Sequence, residues 1–348
     1  MAARDPIADL RRIAYLLERA HEKTYRVRAF RGAAAALGAL PEGELASRAD
    51  AGTLTDLPGI GDVTARCVSE SLAGEEPVYL RRLESTAGRD LDDDTTALLA
   101  ALRGDCHTHS DWSDGGSPIE EMALAGIQLG HEYMVLTDHS PRLTIARGLS
   151  ADRLREQLDV VAALNAKLAE LSLPRPFRLL TGIEVDILAD GSLDQTDELL
   201  GQLDLVVGSV HSGLRDDSAV MTRRMVKALA NPHLDILGHC TGRLLAGRVR
   251  KESEFDPDAV FAAAVEHDKA IEINSRPERL DPPKRLLRRA LEAGCRFSID
   301  TDAHAPGQLD WLPNGCARAV ACGVPADRIV NTLPVHSLLS WTATHHPR

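Results

Sequence analysis

From residue 104 onward, seven short apolar stretches alternate with segments of helical periodicity. No other feature of the chain narrows its fold as much. The stretches are GDCHTHS, YMVLTDH, FRLLTGIEVDI, LDLVVGSVH, LDILGHC, KAIEINS and RFSIDTDAH, with helix-like segments at 118–130, 151–171, 218–230, 256–267 and 282–293 between them. A strand that is followed by a crossover helix returns to the same end of the sheet, so its neighbours run parallel. The pattern therefore predicts an α/β fold of parallel strands joined by crossover helices.

Most of these stretches end in an imidazole or a carboxylate. His107 and His109 close the first, His139 the second, Glu184 lies in the third, His211 and His239 close the fourth and fifth, and Asp302 and His304 close the seventh. Asp114 follows shortly after the first. In a parallel barrel the C-terminal strand ends converge on one mouth, where sites form. A single histidine at a strand end is ordinarily a hydrogen-bonded structural residue. Repetition around the barrel instead predicts a metal centre, and its donors suit Zn²⁺, Mn²⁺ or Fe without separating them. Asp111 is read as a loop residue. Cys106 and Cys240, next to ligands, are expected to be turned to the opposite face by strand alternation. His21, His131, His233, His267, His336, His345 and His346 are expected in surface or capping roles.

The first 85 residues read as helical, with Ile7, Leu10, Ile13, Leu16 and Leu17 at helical spacing. In LTDLPGIGDVTARCVSESLAG, Gly59 and Gly61 allow a tight turn that opens onto a helix N-terminus, where backbone amides can hold a DNA phosphate without reading a base. This resembles a helix-hairpin-helix motif. The chain carries a net charge of −12, which excludes a protein coated in basic surface, yet residues 1–31 hold eight Lys/Arg against four acids. Gly59, Gly61, Arg26, Arg28 and Arg31 are accordingly the candidate DNA contacts. Residues 86–103 are expected to be a linker, with Asp92, Asp93 and Asp94 a solvated run at a helix start, and 104–348 the barrel. No apolar run reaches 18 residues, the N-terminus reads as an amphipathic helix, and six cysteines form no CxxC pair. The expectation is a cytoplasmic protein with no membrane partner.

Together, CHTHSDWSDG, LTDHS, GIEVDI, GSVHSG, GHCTGR, EINSRPERLD and IDTDAH resemble the PHP (polymerase and histidinol phosphatase) family. They are most similar to the PHP domain of bacterial family X DNA polymerases, whose N-terminal helix-hairpin-helix domain residues 1–85 also resemble. The resemblance implies a distorted seven-stranded (β/α) barrel with three divalent metal ions. One would take His107, His109, Glu184 and Asp302; a second would share Glu184 and add His211 and His239; a third would take Asp114, His139 and His304. The chain departs from those polymerases in two ways. Eighteen residues stand where their polymerase core would be, and Cys67, preceded by Arg66, stands where lyase-competent relatives carry a nucleophilic lysine. Neither nucleotidyl transfer nor lyase chemistry is expected.

Close divalent cations lower the pKa of a shared water, supply a metal-bound hydroxide and clamp phosphoryl oxygens, so the expected reaction is phosphate-ester hydrolysis. Glu184 and Arg243 are the candidate catalytic residues. Arg243, Ser212, Asn274, Arg276 and Arg279 are the candidates for holding substrate. The leading expectation is action on DNA ends, as a 3′–5′ exonuclease or 3′-phosphatase. A small-molecule phosphomonoesterase of the histidinol-phosphatase type is the alternative, acting on a phosphorylated metabolite. A DNA-binding accessory protein with a vestigial metal site is the third reading.

Overall fold

A computed structural model of the chain describes residues 4–345 and divides it into two compact units, Met1–Asp90 and Leu91–Arg348. His346 lies outside the described residues.

The described residues of the first unit form five α-helices: α1 (Pro6–Arg19), α2 (Thr24–Gly38), α3 (Glu44–Asp50), α4 (Asp62–Leu72) and α5 (Val78–Ser85). Asp5 caps α1 by accepting from the Ile7 amide, and Pro6 stands in the first turn, where no backbone donor is needed. Leu10, Ile13 and Leu17 form one face of α1, and Phe30, Ala33, Ala34 and Leu37 form the facing stripe of α2. Alanine at two of these positions lets the two helices approach closely. Burial of each larger side chain contributes roughly 1.5–3 kcal/mol. At the hairpin before α4, Gly59 holds a left-handed φ of +85°, which a side chain would disfavour.

The second unit is a barrel of seven parallel strands in chain order: β1 (Gly104–Thr108), β2 (Tyr133–Leu136), β3 (Arg178–Asp186), β4 (Leu205–Ser209), β5 (Ile236–Leu237), β6 (Ala270–Asn274) and β7 (Arg296–Asp300). Alternation divides their side chains between two environments. Tyr133, Val135, Leu180, Leu205, Val207, Ile236 and Ala270 fill the interior, with Val330, Leu338 and Trp341 of the C-terminal segment packed against them. Residues of the other parity, such as Ile183, Val185, Val206, Leu237 and Ile271, meet the surrounding helices.

The barrel does not close through a full ladder. Between β1 and β7 lies a single parallel bridge, Thr108 to Ala303. The rest of the seam is spanned by side chains. Asn331 Nδ2 donates to the Gly104 carbonyl at 3.0 Å and to the Ile299 carbonyl at 2.7 Å, while its Oδ1 accepts from the Ile299 amide at 3.1 Å. Higher up, Asp300 accepts from the Cys106 amide at 2.9 Å, and Asp105 accepts from the Thr301 hydroxyl. A buried amide and two buried carboxylates thus satisfy backbone groups that an eighth strand would otherwise pair.

The stretch expected as a linker contains α6 (Asp93–Ala101). Asp92 caps it by accepting from the Thr95 amide at 2.7 Å, and Leu98 is buried in the barrel's outer core. Capping and the apolar positions Leu98, Leu99 and Leu102 dock this short helix, so only part of residues 86–103 behaves as a connector. No helix among the described residues is long and apolar enough to cross a membrane.

Candidate metal centre

The inward positions change character as the strands approach the mouth. On β3 the inward series runs Leu180, Gly182, Glu184; on β6 it runs Ala270, Glu272, Asn274; on β7 it runs Ser298, Asp300 and then Asp302 just beyond the strand. Aliphatic below and polar above, the barrel leaves its upper interior to the nine residues expected from the sequence. Asp302 is held at φ +54°, a left-handed conformation that aspartate tolerates better than most residues.

Glu184 is fully enclosed and faces five imidazoles. Its Oε1 lies 3.3 Å from His211 Nε2 and 2.8 Å from His239 Nε2. Its Oε2 lies 3.4 Å from His107 Nε2, 3.6 Å from His109 Nε2 and 2.8 Å from His139 Nδ1. Asp302 Oδ1 is 3.4 Å from His109 Nε2, and Asp114 Oδ1 is 3.5 Å from His139 Nε2 and 3.3 Å from His304 Nε2.

Two donors about 2.1 Å from one tetrahedral ion are roughly 3.4 Å apart, so most of these separations match edges of a coordination shell. His107 Nε2, both ring nitrogens of His109, His139 Nδ1, His239 Nδ1 and Glu184 Oε2 are buried without a hydrogen-bond partner. Six orphaned polar atoms at one locus would be costly unless cations satisfy them. The donor set therefore fits divalent metal ions. Three groups could each hold one: His109, Asp114, His139 and His304; His107, His109 and Asp302; His139, Glu184 and His211. These differ in detail from the sets that the resemblance implies, because His109 and His139 each stand between two groups, and His239 reaches the cluster through Glu184.

The electrostatics favour ligation. Burial drives the Glu184 carboxyl upward, but His211, His107 and His139 outweigh it and hold the group well below the usual carboxylate range. Asp302 is likewise held low against burial, chiefly by Arg279. Burial and the neighbouring His304 and His139 depress His109, leaving it neutral, which is the form that binds a metal.

Two residues that orient the imidazoles were not singled out from the sequence. Glu272 Oε1 lies 2.6 Å from His107 Nδ1, and its Oε2 accepts from the His239 amide at 2.5 Å. Asp186 Oδ1 lies 2.5 Å from His211 Nδ1. Such carboxylates fix the ring and its tautomer and raise ligand basicity. Asp138 serves the loop that carries Asp114, accepting from Ser110, Ser113 and Gln157. The available signal was alternation, since Asp186 and Glu272 each share inward parity with a site residue two positions away.

The substrate candidates separate. Arg279 Nε donates to Asp302 Oδ2 at 3.0 Å while its Nη1 is buried without a partner, and Arg276 Nη1 lies 3.3 Å from His304 Nδ1. Asn274 is enclosed and donates to Asp302 Oδ2 and Glu272 Oε2, both at 3.3 Å, so it braces ligands. Ser212 is exposed, and its carbonyl accepts from Arg224 at 2.7 Å. Arg243 does not reach the centre as expected. Its guanidinium donates to the carbonyls of Arg279, at 2.9 Å, and of Leu280, and pairs with Glu252. Gly242, at φ +59°, has turned the chain away from His239, and Arg243 clamps the loop that presents Arg279.

Further expectations need correction. A register shift between Asp105 and Thr108 breaks the alternation of β1, so Cys106 faces the barrel interior and not the opposite face. His131 is buried, and so is the His345 ring, whose Nδ1 lies 2.6 Å from Asp235 Oδ1. In the helical unit, Arg31 is locked in a two-pronged pair with buried Glu18, both bonds 2.9 Å, and the Gly61 amide donates to Thr64 Oγ1 at 3.0 Å. Neither is presented to a phosphate. Arg26 pairs with Glu22 at 2.7 Å, whereas Arg28 is exposed. Cys67 is buried, which pushes its thiol up to about 11, so it is no nucleophile.

A parallel barrel whose mouth gathers imidazoles and carboxylates around a shared glutamate defines a class of metal-dependent phosphoesterase, and the comparisons agree. Residues 105–276 match the PHP domain and residues 1–76 a helix-hairpin-helix domain. The chain carries a PHP domain behind a helix-hairpin-helix domain, and its barrel has the ligand set of a metal-dependent hydrolase of phosphoester bonds.

Over 221 residues, 64% of this chain, it is 42% identical to the DNA polymerase/3′-5′ exonuclease PolX of Bacillus subtilis, of which the match spans 37%. It is 27% identical to a "Probable phosphatase" of Thermoanaerobacter sp., over 66% of this chain and 89% of that one. Among solved structures it is similar to the histidinol phosphate phosphatase of Lactococcus lactis, complexed with zinc, L-histidinol and phosphate, at 17% identity and a TM-score of 0.44, over 64% of this chain and 94% of that one.

Proposed function

We propose that this protein hydrolyses phosphate esters at DNA ends, as a 3′–5′ exonuclease or 3′-phosphatase. The observation that carries the reading is the pairing, in one chain, of eight ligand-type residues gathered in three groups, with His239 against Glu184, and a helix-hairpin-helix domain. The likeness to a 3′–5′ exonuclease supports it.

Three divalent ions, Zn, Mn or Fe, would be held by His107, His109, Glu184 and Asp302, by Glu184, His211 and His239, and by Asp114, His139 and His304. When bound, such ions activate water and offset charge on phosphoryl oxygens. The protein's own part is orientation. Glu272 and Asp186 hold His107 and His211 in one tautomer, and Arg279, with a free Nη1 beside Asp302, is placed to donate to a phosphoryl oxygen, with Arg276 next to it. Glycine-bearing backbone at Gly59, together with Arg26 and Arg28, would contact the DNA backbone. Six free, buried cysteines and a DNA substrate support a cytoplasmic protein.

A second reading, a phosphomonoesterase acting on a small metabolite, is favoured by one observation: the relative matched over nearly its full length is named a phosphatase. Metal-reconstituted protein assayed side by side on 3′-recessed DNA, 3′-phosphate DNA and histidinol phosphate separates the two, with Glu184→Gln as the inactive control. Turnover of histidinol phosphate alone would overturn the DNA reading.

A further inference from the structure

In a chain of net charge −12, residues 141–149 and 242–251 hold six cations and no acid. Both stretches are loops at the barrel mouth. The first leaves β2 past His139 and returns to it, with the Leu149 amide donating to the His139 carbonyl at 2.7 Å. The second follows His239, whose carbonyl accepts from the Gly242 amide at 2.8 Å, and is held as a hairpin by reciprocal Leu244–Arg250 bonds of 2.9 and 3.0 Å.

Each loop also exposes an aliphatic tip. Ile145 is 92% exposed and Val249 is 72% exposed. Arg142 and Arg147 flank Ile145, and Arg248 and Lys251 flank Val249, all four exposed. Arg250 is already committed, its Nε donating to the Gly242 carbonyl. Beside the hairpin runs a cleft of ≈ 720 Å³, lined by Val249, Lys251 and Arg285 and also by Glu254 and Glu252, the latter paired with Arg285. Nothing in the packing of the barrel requires an aliphatic side chain in water between two cations, twice, at one mouth.

We propose that these two loops grip single-stranded DNA at the entrance to the metal centre, with Ile145 and Val249 against base faces and Arg142, Arg147, Arg248 and Lys251 against phosphates. The inference rests on the DNA reading above and names its substrate form. Apolar side chains that meet bases need those bases unstacked, and cations that track a backbone need regularly repeated phosphates. A frayed or single-stranded 3′ end offers both and presents a phosphoester to the centre. A small metabolite seated among the ligands offers neither an unstacked base nor a run of phosphates.

The test uses the full chain, with the double variants Arg248→Glu/Lys251→Glu and Ile145→Ser/Val249→Ser. Affinity for a fluorescent oligothymidine is read by anisotropy across salt, and turnover is read on a small chromogenic phosphate ester. We expect at least 10-fold weaker oligonucleotide binding from each. The charge variant should also lower the salt slope by about 1.4, as loss of two single-strand phosphate contacts predicts, and the aliphatic variant should leave it unchanged. Turnover of the small ester should stay at the wild-type rate. Unchanged oligonucleotide binding would overturn the inference, as would equal losses on both readouts. So would loop-dependent capture by phosphatidylserine vesicles in place of the oligonucleotide. A wild-type protein that binds the oligonucleotide through these loops but cleaves no DNA would refute the DNA-end reading and leave the surface supported.

Discussion

His107 Nδ1 lies 2.6 Å from Glu272 Oε1, with both side chains fully enclosed beneath the centre. The carboxylate fixes which ring nitrogen carries the proton, so Nε2 is left to face Glu184 and a metal. Glu272→Gln keeps the shape and removes the charge. Metal affinity should fall by roughly 10- to 100-fold, with activity following it and recovering in excess metal. Metal content after dialysis, measured beside activity, checks this. Wild-type metal retention would show that Glu272 only fills space.

Arg279 and Arg243 should behave differently although one clamps the loop of the other. Arg279→Ala removes a donor aimed at the site, and turnover should drop by roughly 10²-fold or more even in excess metal. Arg243→Ala leaves the carbonyls of Arg279 and Leu280 without their donor, so it should loosen the loop and lower thermal stability as well as rate. Because Arg243 acts through position, Arg243→Lys should restore stability only partly, lacking the planar fork. Equal stability of the Arg243→Ala and wild-type proteins would contradict the clamp.

The pH dependence of folding should carry a signature of His131, which lies away from the centre. Burial alone pushes its imidazolium down to about 4, from an ordinary 6.5. A depressed folded value means that the unfolded chain takes up a proton first. The stability associated with neutral His131 is therefore present above about pH 6.5 and lost as pH falls toward 4. Between pH 7 and 5 the loss is about 2 kcal/mol. Urea melts at both pH values should show wild type losing that much more stability than His131→Gln. Parallel losses would mean that the ring is protonated in the native state.

The convergence of imidazoles and carboxylates was legible because period-two strands ending at a common mouth make sequence position a direct guide to location. Glu184, His211 and His239 required no more than that. Glu272 escaped because it lies inside KAIEINS and not at its end, and its partner His107 is 165 residues away on a different strand. Arg243 was misplaced because nearness in sequence to His239 says nothing of direction once Gly242 turns the chain. Arg31 sits in a basic run, but the packing of α1 on α2 brings it to Glu18, a pairing that charge counting cannot see. His345 was assigned to the tail, yet Trp341 and Leu338 anchor the helix just before it under the barrel, and the ring follows them inside.

Asn331 should matter more to stability than a single amide ordinarily does. It bonds both edges of the barrel seam, and no other side chain among the described residues reaches both the Gly104 and Ile299 carbonyls. Asn331→Ala leaves three buried backbone groups unpaired, at roughly 1–3 kcal/mol each before relaxation or entry of water. A loss of at least about 3 kcal/mol in denaturant melts is expected. Asn331→Asp, which keeps the acceptor and loses the donors, should cost nearly as much. Loss below 1 kcal/mol would show that the seam is closed by Thr108–Ala303 and the Asp105–Asp300 side alone.

The last expectation separates the two units by function. The ligand ring lies wholly within Leu91–Arg348, and the helical unit has its own buried core of Leu10, Ile13, Leu17 and Phe30. Removing residues 1–90 should therefore leave metal content and turnover of a small chromogenic phosphoester intact. If Gly59, Arg26 and Arg28 contact the DNA backbone, cleavage of duplex DNA with a 3′ end should slow, and the full chain's duplex binding should be insensitive to sequence and fall steeply with salt. A metabolite phosphatase whose helical unit is a lid or dimer contact behaves otherwise, with both rates changing together. Paired rates on the full and shortened chains distinguish these outcomes, and equal losses on the two substrates would remove the helical unit's claim to DNA.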